Sequence, residues 1–376
     1  MASSNIRFFD PHFHLWDMTP EKEEDGNKDL STMMTTVSGH DKNSLFPPNL
    51  YGKVEYEAEV TGGGDGGGGS VFNHYDTVQV VHEGGVCIEV NSINFVDQSG
   101  EELISKYQKE LNWTLKQLQM KGGSSGNKQN QDQDQDQEDD DDDDYDDDCK
   151  AYTYQACASL EASNVEEWLE IISKIPQVCG IRQIISYKPS WPRNDNLGEL
   201  LDNNDWKRGY RLLGEYNSLT FDMQLNPNQF ESALELIKDT PNVNVIINHI
   251  GTPTIEDLTD EKKKQIYWDG IEQFSKCDHV VGIKISMLSR IDPKSWDINP
   301  IVIEAIHRTI KLFGVQRVAF ASNAPVDAHN DDDDVSLSWP ASRVLAAFDR
   351  ITASAYTTTE RSWLFADAAK RMYRCS

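Results

Sequence analysis

The sequence predicts an α/β protein with the (β/α)8 (TIM) barrel fold, and three features of its patterning carry that prediction. Short apolar runs rich in β-branched residues alternate with amphipathic helical runs. There are eight strand runs, and their alternation with helices implies parallel pairing, because parallel strands need a long crossover. The first strand ends in Asp10-Pro11-His12-Phe13-His14. A doubly wound open sheet, the alternative, usually carries a glycine-rich phosphate turn at that point.

The predicted elements follow one another in barrel order, and eight strand–helix units are the count of a TIM barrel. The predicted strands are Ile6–Asp10, Gly85–Val90, Tyr152–Ser159, Val178–Ile185, Thr220–Gln224, Val243–Asn248, Val280–Ser286 and Arg317–Ala321. The predicted helices are Glu101–Met120, Val165–Ile175, Leu200–Asn217, Pro227–Asp239, Asp260–Cys277, Asn299–Phe313, Trp339–Phe348 and Thr358–Tyr373.

Two low-complexity insertions interrupt this pattern. Residues 61–70 form a glycine-rich loop, and residues 121–148 run from Gly and Ser into nearly pure Asp. Dense like charge without apolar residues cannot offset the entropy of ordering, so we expect the acidic insertion to be disordered. A calcium-binding or docking role is the alternative for it. The remainder suits one barrel domain spanning residues 1–376.

The composition excludes several classes of partner. About half of the net charge of −28 comes from residues 131–148, and there is no Lys/Arg cluster of the kind that binds nucleic acid or anionic membrane. No apolar run reaches the ~18 residues of a membrane span, and the first residues do not resemble a signal peptide. Six cysteines lack CxxC spacing, which indicates reduced thiols. We therefore expect a cytoplasmic protein acting on a small molecule, and its oligomeric state stays open.

Three histidines are the strongest candidates for chemistry. His12 and His14 end the first predicted strand, and residues two apart in a strand point to the same side. His249 ends the sixth predicted strand. The carboxyl ends of barrel strands form the active face, so we expect these imidazoles to lie near one another. Converging imidazoles could provide part of the ligand set of a divalent metal. Alternatively, each histidine is simply packed in the protein interior.

Other polar residues also follow predicted strands. Asn323 ends the eighth strand and Asp327 lies four residues beyond it. Arg182 could bind a substrate carboxylate through its planar donors, or form a structural ion pair. Gln224 ends the fifth strand. Lys284 alternates with apolar neighbours, and its side chain would therefore point into the barrel or cap its inner layer.

Six motifs together resemble the amidohydrolase superfamily, specifically the amidohydrolase-related group that includes sugar-lactone and dicarboxylate-lactone hydrolases. They occur in the order of that group and span nearly the whole chain apart from the insertions. They are DPHFHLWD (10–17), GIRQII (180–185), FDMQLNPNQ (221–229), VIINHIGTP (245–253), GIKIS (282–286) and RVAFASNAPVD (317–327), and LFADAAKRMYR (364–374) resembles the closing helix.

The resemblance implies a barrel hydrolase of esters, lactones or amides in which His12, His14 and His249 are the candidate metal ligands. Three departures from the usual ligand set bear on the metal. Arg182, Gln224 and Asn323 stand where metal-dependent members carry a carboxylate or modified Lys, a His and an Asp. An arginine would repel a second cation, which excludes a two-metal centre. Two interpretations remain: the three histidines bind one zinc or manganese ion, or the site works without a metal.

The leading hypothesis is hydrolysis of a lactone or simple ester, with the histidines polarising the carbonyl. Asp327 is the expected general base, and a histidine of the cluster is the fallback. Trp16 and Trp191 could form an apolar pocket wall, or simply pack. The alternatives are a metal-dependent decarboxylase of the same superfamily, and a barrel that has lost catalysis and serves as a binding or scaffold protein.

Overall fold

The computed structural model describes residues 5–17, 50–61, 78–90, 100–120, 151–187, 198–328 and 337–375. Within them, eight parallel strands form one sheet in chain order. Most of the glycine-rich loop, the acidic insertion 121–148 and Trp191 lie outside the described residues. The barrel strands are β1 (Ile6–Phe13), β2 (Val80–Ile88), β3 (Ala151–Cys157), β4 (Val178–Ile184), β5 (Thr220–Gln224), β6 (Asn244–Ile247), β7 (Val280–Ile285) and β8 (Val318–Phe320).

The sheet closes because the first strand meets the residues that follow the last strand. The Asn323 N–H donates to the His12 carbonyl, and the His14 N–H donates to the Ala324 carbonyl, each at 2.8 Å. The Ser322 N–H also donates to the Asp10 carboxylate at 3.1 Å. The predicted (β/α)8 barrel is therefore confirmed, and the open doubly wound sheet is wrong.

Helices cover the outside of the barrel, and polar caps begin several of them. Asn203, Asp260 and Thr357 accept hydrogen bonds from backbone N–H groups of the first helical turns. A π-helical stretch, Trp363–Asp367, joins the last two helices. The helices are α1 (Lys53–Thr61), α2 (Gly100–Gln119), α3 (Val165–Ile172), α4 (Asn204–Leu212), α5 (Phe230–Asp239), α6 (Ile255–Thr259), α7 (Glu261–Lys276), α8 (Pro300–Phe313), α9 (Ala341–Thr352), α10 (Thr358–Ser362) and α11 (Ala368–Tyr373).

The structure differs from the predicted elements mainly near the amino terminus. Strand β1 continues three residues beyond the predicted Asp10, and β2 begins at Val80 rather than Gly85. The start of β2 contains Glu83, whose carboxylate pairs with Arg7 at 2.6 Å, so a charged residue interrupts the apolar run. Helix α1 was not predicted, because its nine residues are acidic and only weakly amphipathic.

The barrel interior contains a polar layer. Gln155, Asp222 and Lys284 come from β3, β5 and β7, the alternation that defines one layer inside a TIM barrel. The Asp222 carboxylate accepts hydrogen bonds from Gln155 at 3.1 Å and from the Lys284 ammonium. The Tyr373 hydroxyl of α11 also donates to Asp222, at 2.8 Å. The C-terminal helix is therefore tied to the centre of the barrel.

Two further expectations from the sequence concern membrane-spanning helices and the state of the cysteines. Across the described ranges, no helix combines the length and the apolar character needed to cross a membrane. The described cysteines are all free thiols, which agrees with the reduced state expected from their spacing; they are Cys87, Cys157, Cys179, Cys277 and Cys375.

Candidate active site

His12 and His14 converge at the carboxyl end of β1, as strand alternation predicts. Their Nε2 atoms lie 3.2 Å apart, and both side chains are buried. The His14 Nδ1 atom lies 3.0 Å from the Ile88 carbonyl oxygen. A carbonyl only accepts, so Nδ1 of His14 carries the proton and its Nε2 presents a lone pair. The ring of His14 is thereby fixed in both orientation and tautomer.

His249 joins this pair from the turn that follows β6. Its ring centroid lies 4.5 Å from that of His12. Its Nδ1 atom lies 2.8 Å from the Ser286 hydroxyl, which follows β7. The three predicted histidines are thus neighbours, and residues from two other strands orient them.

Backbone strain is concentrated at this end of the barrel. Five non-glycine residues directly beyond β6, β7 and β8 have left-handed backbone angles, with φ between 47° and 56°. Each costs roughly 1–2 kcal/mol and persists only where the surroundings hold it, as happens at functional sites. The five are His249, Ile250, Thr252, Met287 and Asn323.

Burial keeps the histidine cluster neutral. The pKa of His14 is lowered to about 3, first by burial and then by the nearby Arg182 charge. Burial lowers the pKa of His12 and of His249 as well, and the Lys284 and Arg182 charges add to the effect. Neutral imidazoles can donate, accept or bind a metal at every pH near neutrality.

We tested the cluster against the metal site that its histidines suggest. Two nitrogens on one tetrahedral zinc lie roughly 3.3 Å apart for zinc–nitrogen bonds of about 2.0–2.1 Å, and His12 and His14 fit that spacing. Among the described residues, however, no three His, Cys, Asp or Glu side chains are arranged to hold an ion. The pair alone therefore does not make a complete metal site.

Arg182 is held by protein groups rather than directed at a ligand. Its Nη1 atom lies 3.1 Å from both the carboxylate and the main-chain oxygen of Glu89. Its Nη2 atom donates to the Gln224 side-chain oxygen. The Arg182 side chain is 5% exposed and that of Glu89 is fully buried. The structure therefore favours the ion-pair interpretation of Arg182 over direct binding of substrate.

Asn323 and Asp327 lie together beyond β8. The Asn323 amide donates to the Asp327 carboxylate at 3.1 Å, and Ser289 and the Met287 N–H donate to it as well. Burial raises the pKa of Asp327 to about 7 despite these donors. This carboxyl group is thus poised to exchange a proton near neutral pH.

A cavity of about 140 Å³ opens beside the histidine cluster. Of the predicted site residues, His249 and Gln224 line it. Trp16 does not: it is buried, with its ring 5.9 Å from that of Tyr51. The complete lining is Ser186, Gln224, Asn226, His249, Thr252, Pro253, Thr254, Met287, Arg290 and Ile291.

Sequence reasoning missed Glu89, Ser286 and Arg290. Glu89 and Ser286 stand at the ends of the second and seventh predicted strands, so the rule that found Gln224 could also have found them. Arg290 lies four residues further on, in a turn whose direction the sequence does not reveal. It is exposed and is the cationic residue of the cavity wall.

The closed barrel, with polar residues at its strand ends, defines a protein of the TIM-barrel class. A family model described as Amidohydrolase matches residues 115–375, which is more than half of the chain. The chain therefore belongs to the amidohydrolase family. Hydrolysis is the reaction for which that family is named.

One curated protein aligns with about half of the chain. An uncharacterized protein, y4mH, of Sinorhizobium fredii (strain NBRC 101917 / NGR234) is 30% identical over 201 residues, covering 52% of this chain and 60% of that protein. The match thus spans less than two thirds of the relative.

Solved structures share the fold across 99% of this chain. An amidohydrolase from Burkholderia multivorans with bound HEPES is 14% identical, with a TM-score of 0.60 and 99% of its chain covered. The zinc-bound form of that protein has a TM-score of 0.58 at 13% identity, and 99% of its chain is again covered. A putative 2-pyrone-4,6-dicarboxylic acid hydrolase from Pseudomonas putida has a TM-score of 0.55 at 12% identity, and 98% of its chain is covered.

Proposed function

We propose that this protein hydrolyses a lactone or simple ester of a sugar acid or another carboxylic acid by attack of water on the carbonyl carbon. The observation that carries the proposal is the neutral His249 ring in the wall of a cavity at the strand ends, which polar and apolar side chains line together. The cavity volume of about 140 Å³ is close to the roughly 150 Å³ that accommodates benzene. A single five- or six-membered ring therefore suits a space of this size.

His249 is the proposed contact to the reacting carbonyl. The Ser286 hydroxyl lies 2.8 Å from Nδ1 of His249. We assign the hydroxyl as the donor in this contact, so that the Nε2 atom of His249 carries the proton and acts as a donor in turn. A neutral donor aimed at the carbonyl oxygen stabilises the negative charge that develops there when water adds. His12, whose ring lies against His249, supports that ring from behind rather than lining the cavity.

Asp327 is the proposed acceptor of the proton from the attacking water. Its pKa of about 7 suits a general base at neutral pH, whereas the neighbouring Asn323 amide cannot act as a base. Asp327 is absent from the cavity wall, so it would reach the attacking water through a second water molecule. Arg290, in the wall, lies close enough to lower the pKa of Asp327 by its charge.

The 2-pyrone ring in the name of the Pseudomonas putida neighbour is itself a cyclic ester, which agrees with this proposal. The test is hydrolysis of a panel of five- and six-membered lactones, with and without a carboxylate substituent, followed by acid release. We expect His249→Ala to lower kcat by at least about a hundredfold, the loss typical for an oxyanion donor. The control is His279→Ala, because His279 precedes β7 at the opposite end of the barrel.

Three outcomes would contradict the proposal. Full lactone turnover by His249→Ala would remove that ring from the mechanism. Carbon dioxide release from carboxylated substrates without ring opening would support the decarboxylase. No turnover of any lactone, by a protein that melts cooperatively, would favour a barrel that binds without catalysis.

A further inference from the structure

The orientation of the Gln224 side-chain amide is fixed by its neighbour. Its oxygen accepts from Nη2 of Arg182, and a guanidinium has only donors. The amide oxygen must therefore face Arg182, which leaves the amide nitrogen for other partners. Gln224 lines the cavity, and none of the described residues accepts a hydrogen bond from that nitrogen.

Arg182 cannot turn to release the amide. Two oxygens of Glu89, each 3.1 Å away, hold its Nη1 atom. Both side chains of this ion pair are buried, and rotation of the guanidinium would leave the Glu89 carboxylate without its charged partner. The pair comes from β4 and from the residue after β2, so two strands fix the face that Gln224 presents.

The rest of the cavity wall also favours an acceptor-rich ligand. It contains no Asp or Glu among the described residues, and Arg290 adds a second donor-only group. Asn226 is already engaged: its nitrogen donates to the Tyr187 carbonyl at 3.0 Å, and its oxygen accepts from Thr252 at 3.1 Å. A carboxylate has acceptors for both Gln224 and Arg290. A carboxamide would instead turn its two N–H hydrogens towards the donor groups of these two side chains.

We propose that Gln224, oriented by the buried Glu89–Arg182 pair, is a specificity-determining donor that selects substrates carrying a carboxylate beside the ring. Arg182 is then a positioning residue, which acts on the ligand only through Gln224. This inference rests on the proposed function for the identity of the substrate as a ring acid, but its test does not depend on turnover.

The test measures equilibrium binding of two matched probes that cannot be hydrolysed, tetrahydrofuran-2-carboxylate and tetrahydrofuran-2-carboxamide, by calorimetry. We expect the wild-type protein to bind the carboxylate about tenfold to a hundredfold more tightly, the usual effect of a hydrogen bond to a charged group. Gln224→Glu should reverse the preference, because it places acceptors where the amide nitrogen stood. Gln273→Glu on the exposed face of α7 adds the same charge away from the cavity and is the matched control.

A second pair of variants tests the positioning role. Gln224→Met removes the donor without adding charge and should bring the affinities of the two probes close together. Arg182→Met leaves Gln224 in place but frees its amide to turn, so the selectivity should fall although the donor remains. Glu89→Gln, which keeps the shape of the buried side chain, should lower the selectivity less than Arg182→Met. Melting curves check folding, and a ratio of affinities is insensitive to partial loss of folded protein.

The outcomes separate this inference from the proposed reaction. Carboxylate selectivity that depends on Gln224, in a protein that hydrolyses no lactone, supports the inference and contradicts the reaction. Lactone hydrolysis with selectivity unchanged by Gln224→Glu and Gln224→Met overturns the inference and leaves the reaction standing. Equal binding of the two probes by the wild-type protein also overturns it.

Discussion

The ammonium of Lys284 donates to the carboxylate of Asp222 at the centre of the barrel, where both side chains are fully buried. Lys284 also lies 3.3 Å from the Pro11 carbonyl oxygen, next to His12. Burial lowers the pKa of Lys284 to about 8, against the opposing effect of Asp222. The ion pair therefore lies close to His12, and the positive charge of Lys284 helps to keep His12 neutral by lowering its pKa.

We predict that Lys284→Met lowers the free energy of unfolding by about 3–5 kcal/mol, because it leaves the Asp222 charge buried without a cation. The double variant Lys284→Met/Asp222→Leu should be less destabilised than Lys284→Met alone, since neither charge remains. Chemical denaturation of the wild type, Lys284→Met, Asp222→Leu and the double variant measures both effects. A double variant as unstable as the sum of the single variants would show that the pair is not coupled.

The rate of hydrolysis should rise with pH around the pKa of Asp327. A general base works when deprotonated, and burial moves deprotonation from 3.8 to about 7. We therefore expect kcat/KM to increase between about pH 6 and pH 8 and then level off. The histidines do not produce this increase in kcat/KM, since the pKa of His14 is about 3 and those of His12 and His249 are lowered too.

The control for this assignment is Asp327→Asn, which keeps the shape of the side chain. It should lower the rate and remove the dependence on pH near 7. If the increase of kcat/KM with pH persists in Asp327→Asn, another group titrates near pH 7 and Asp327 has a structural role.

Loss of the Ser286 hydroxyl should affect the rate more than the stability. Its oxygen lies 2.8 Å from Nδ1 of His249 and orients that ring. In the proposed mechanism the hydroxyl donates to Nδ1 and so selects the tautomer with the proton on Nε2. We expect Ser286→Ala to cost only about 1 kcal/mol of stability and to lower kcat by roughly tenfold, with little change in KM. Steady-state kinetics and denaturation compare the two, and an unchanged kcat would show that the hydroxyl does not orient the ring.

The barrel could be predicted from sequence because its strands are short apolar runs with polar ends. The β6 run, Asn244–Ile247, and the β7 run, Val280–Ile285, are of this kind. Strand β2 is different: Glu83 and Gly84 fall inside it and are explained by contacts with Arg7 and with Ala151 of the next strand. Such contacts between distant segments are not visible in a local pattern.

The same limit explains which site residues could be found. His12 and His14 share one side of a strand, so their meeting follows from local geometry. For Arg182 the sequence leaves substrate binding and a structural ion pair open, because its partner Glu89 lies 93 residues away in the chain. The order of strands in the sheet places β2 and β4 on either side of β3, and this tertiary contact shows that the arginine is already engaged.

Removal of metal ions gives a sharp test of how the histidines act. His12 and His14 have the spacing of two ligands, but the described residues supply no third side chain in a suitable arrangement. The nearby Arg182 and Lys284 charges, which lower the pKa values of these histidines, also oppose a bound cation. We therefore predict that dialysis against a chelator leaves kcat/KM within about twofold, the range in which a change stays below about 0.5 kcal/mol. Elemental analysis before and after dialysis gives the zinc and manganese content. Loss of activity with loss of about one ion per chain, restored by adding that ion, would instead make His12, His14 and His249 metal ligands.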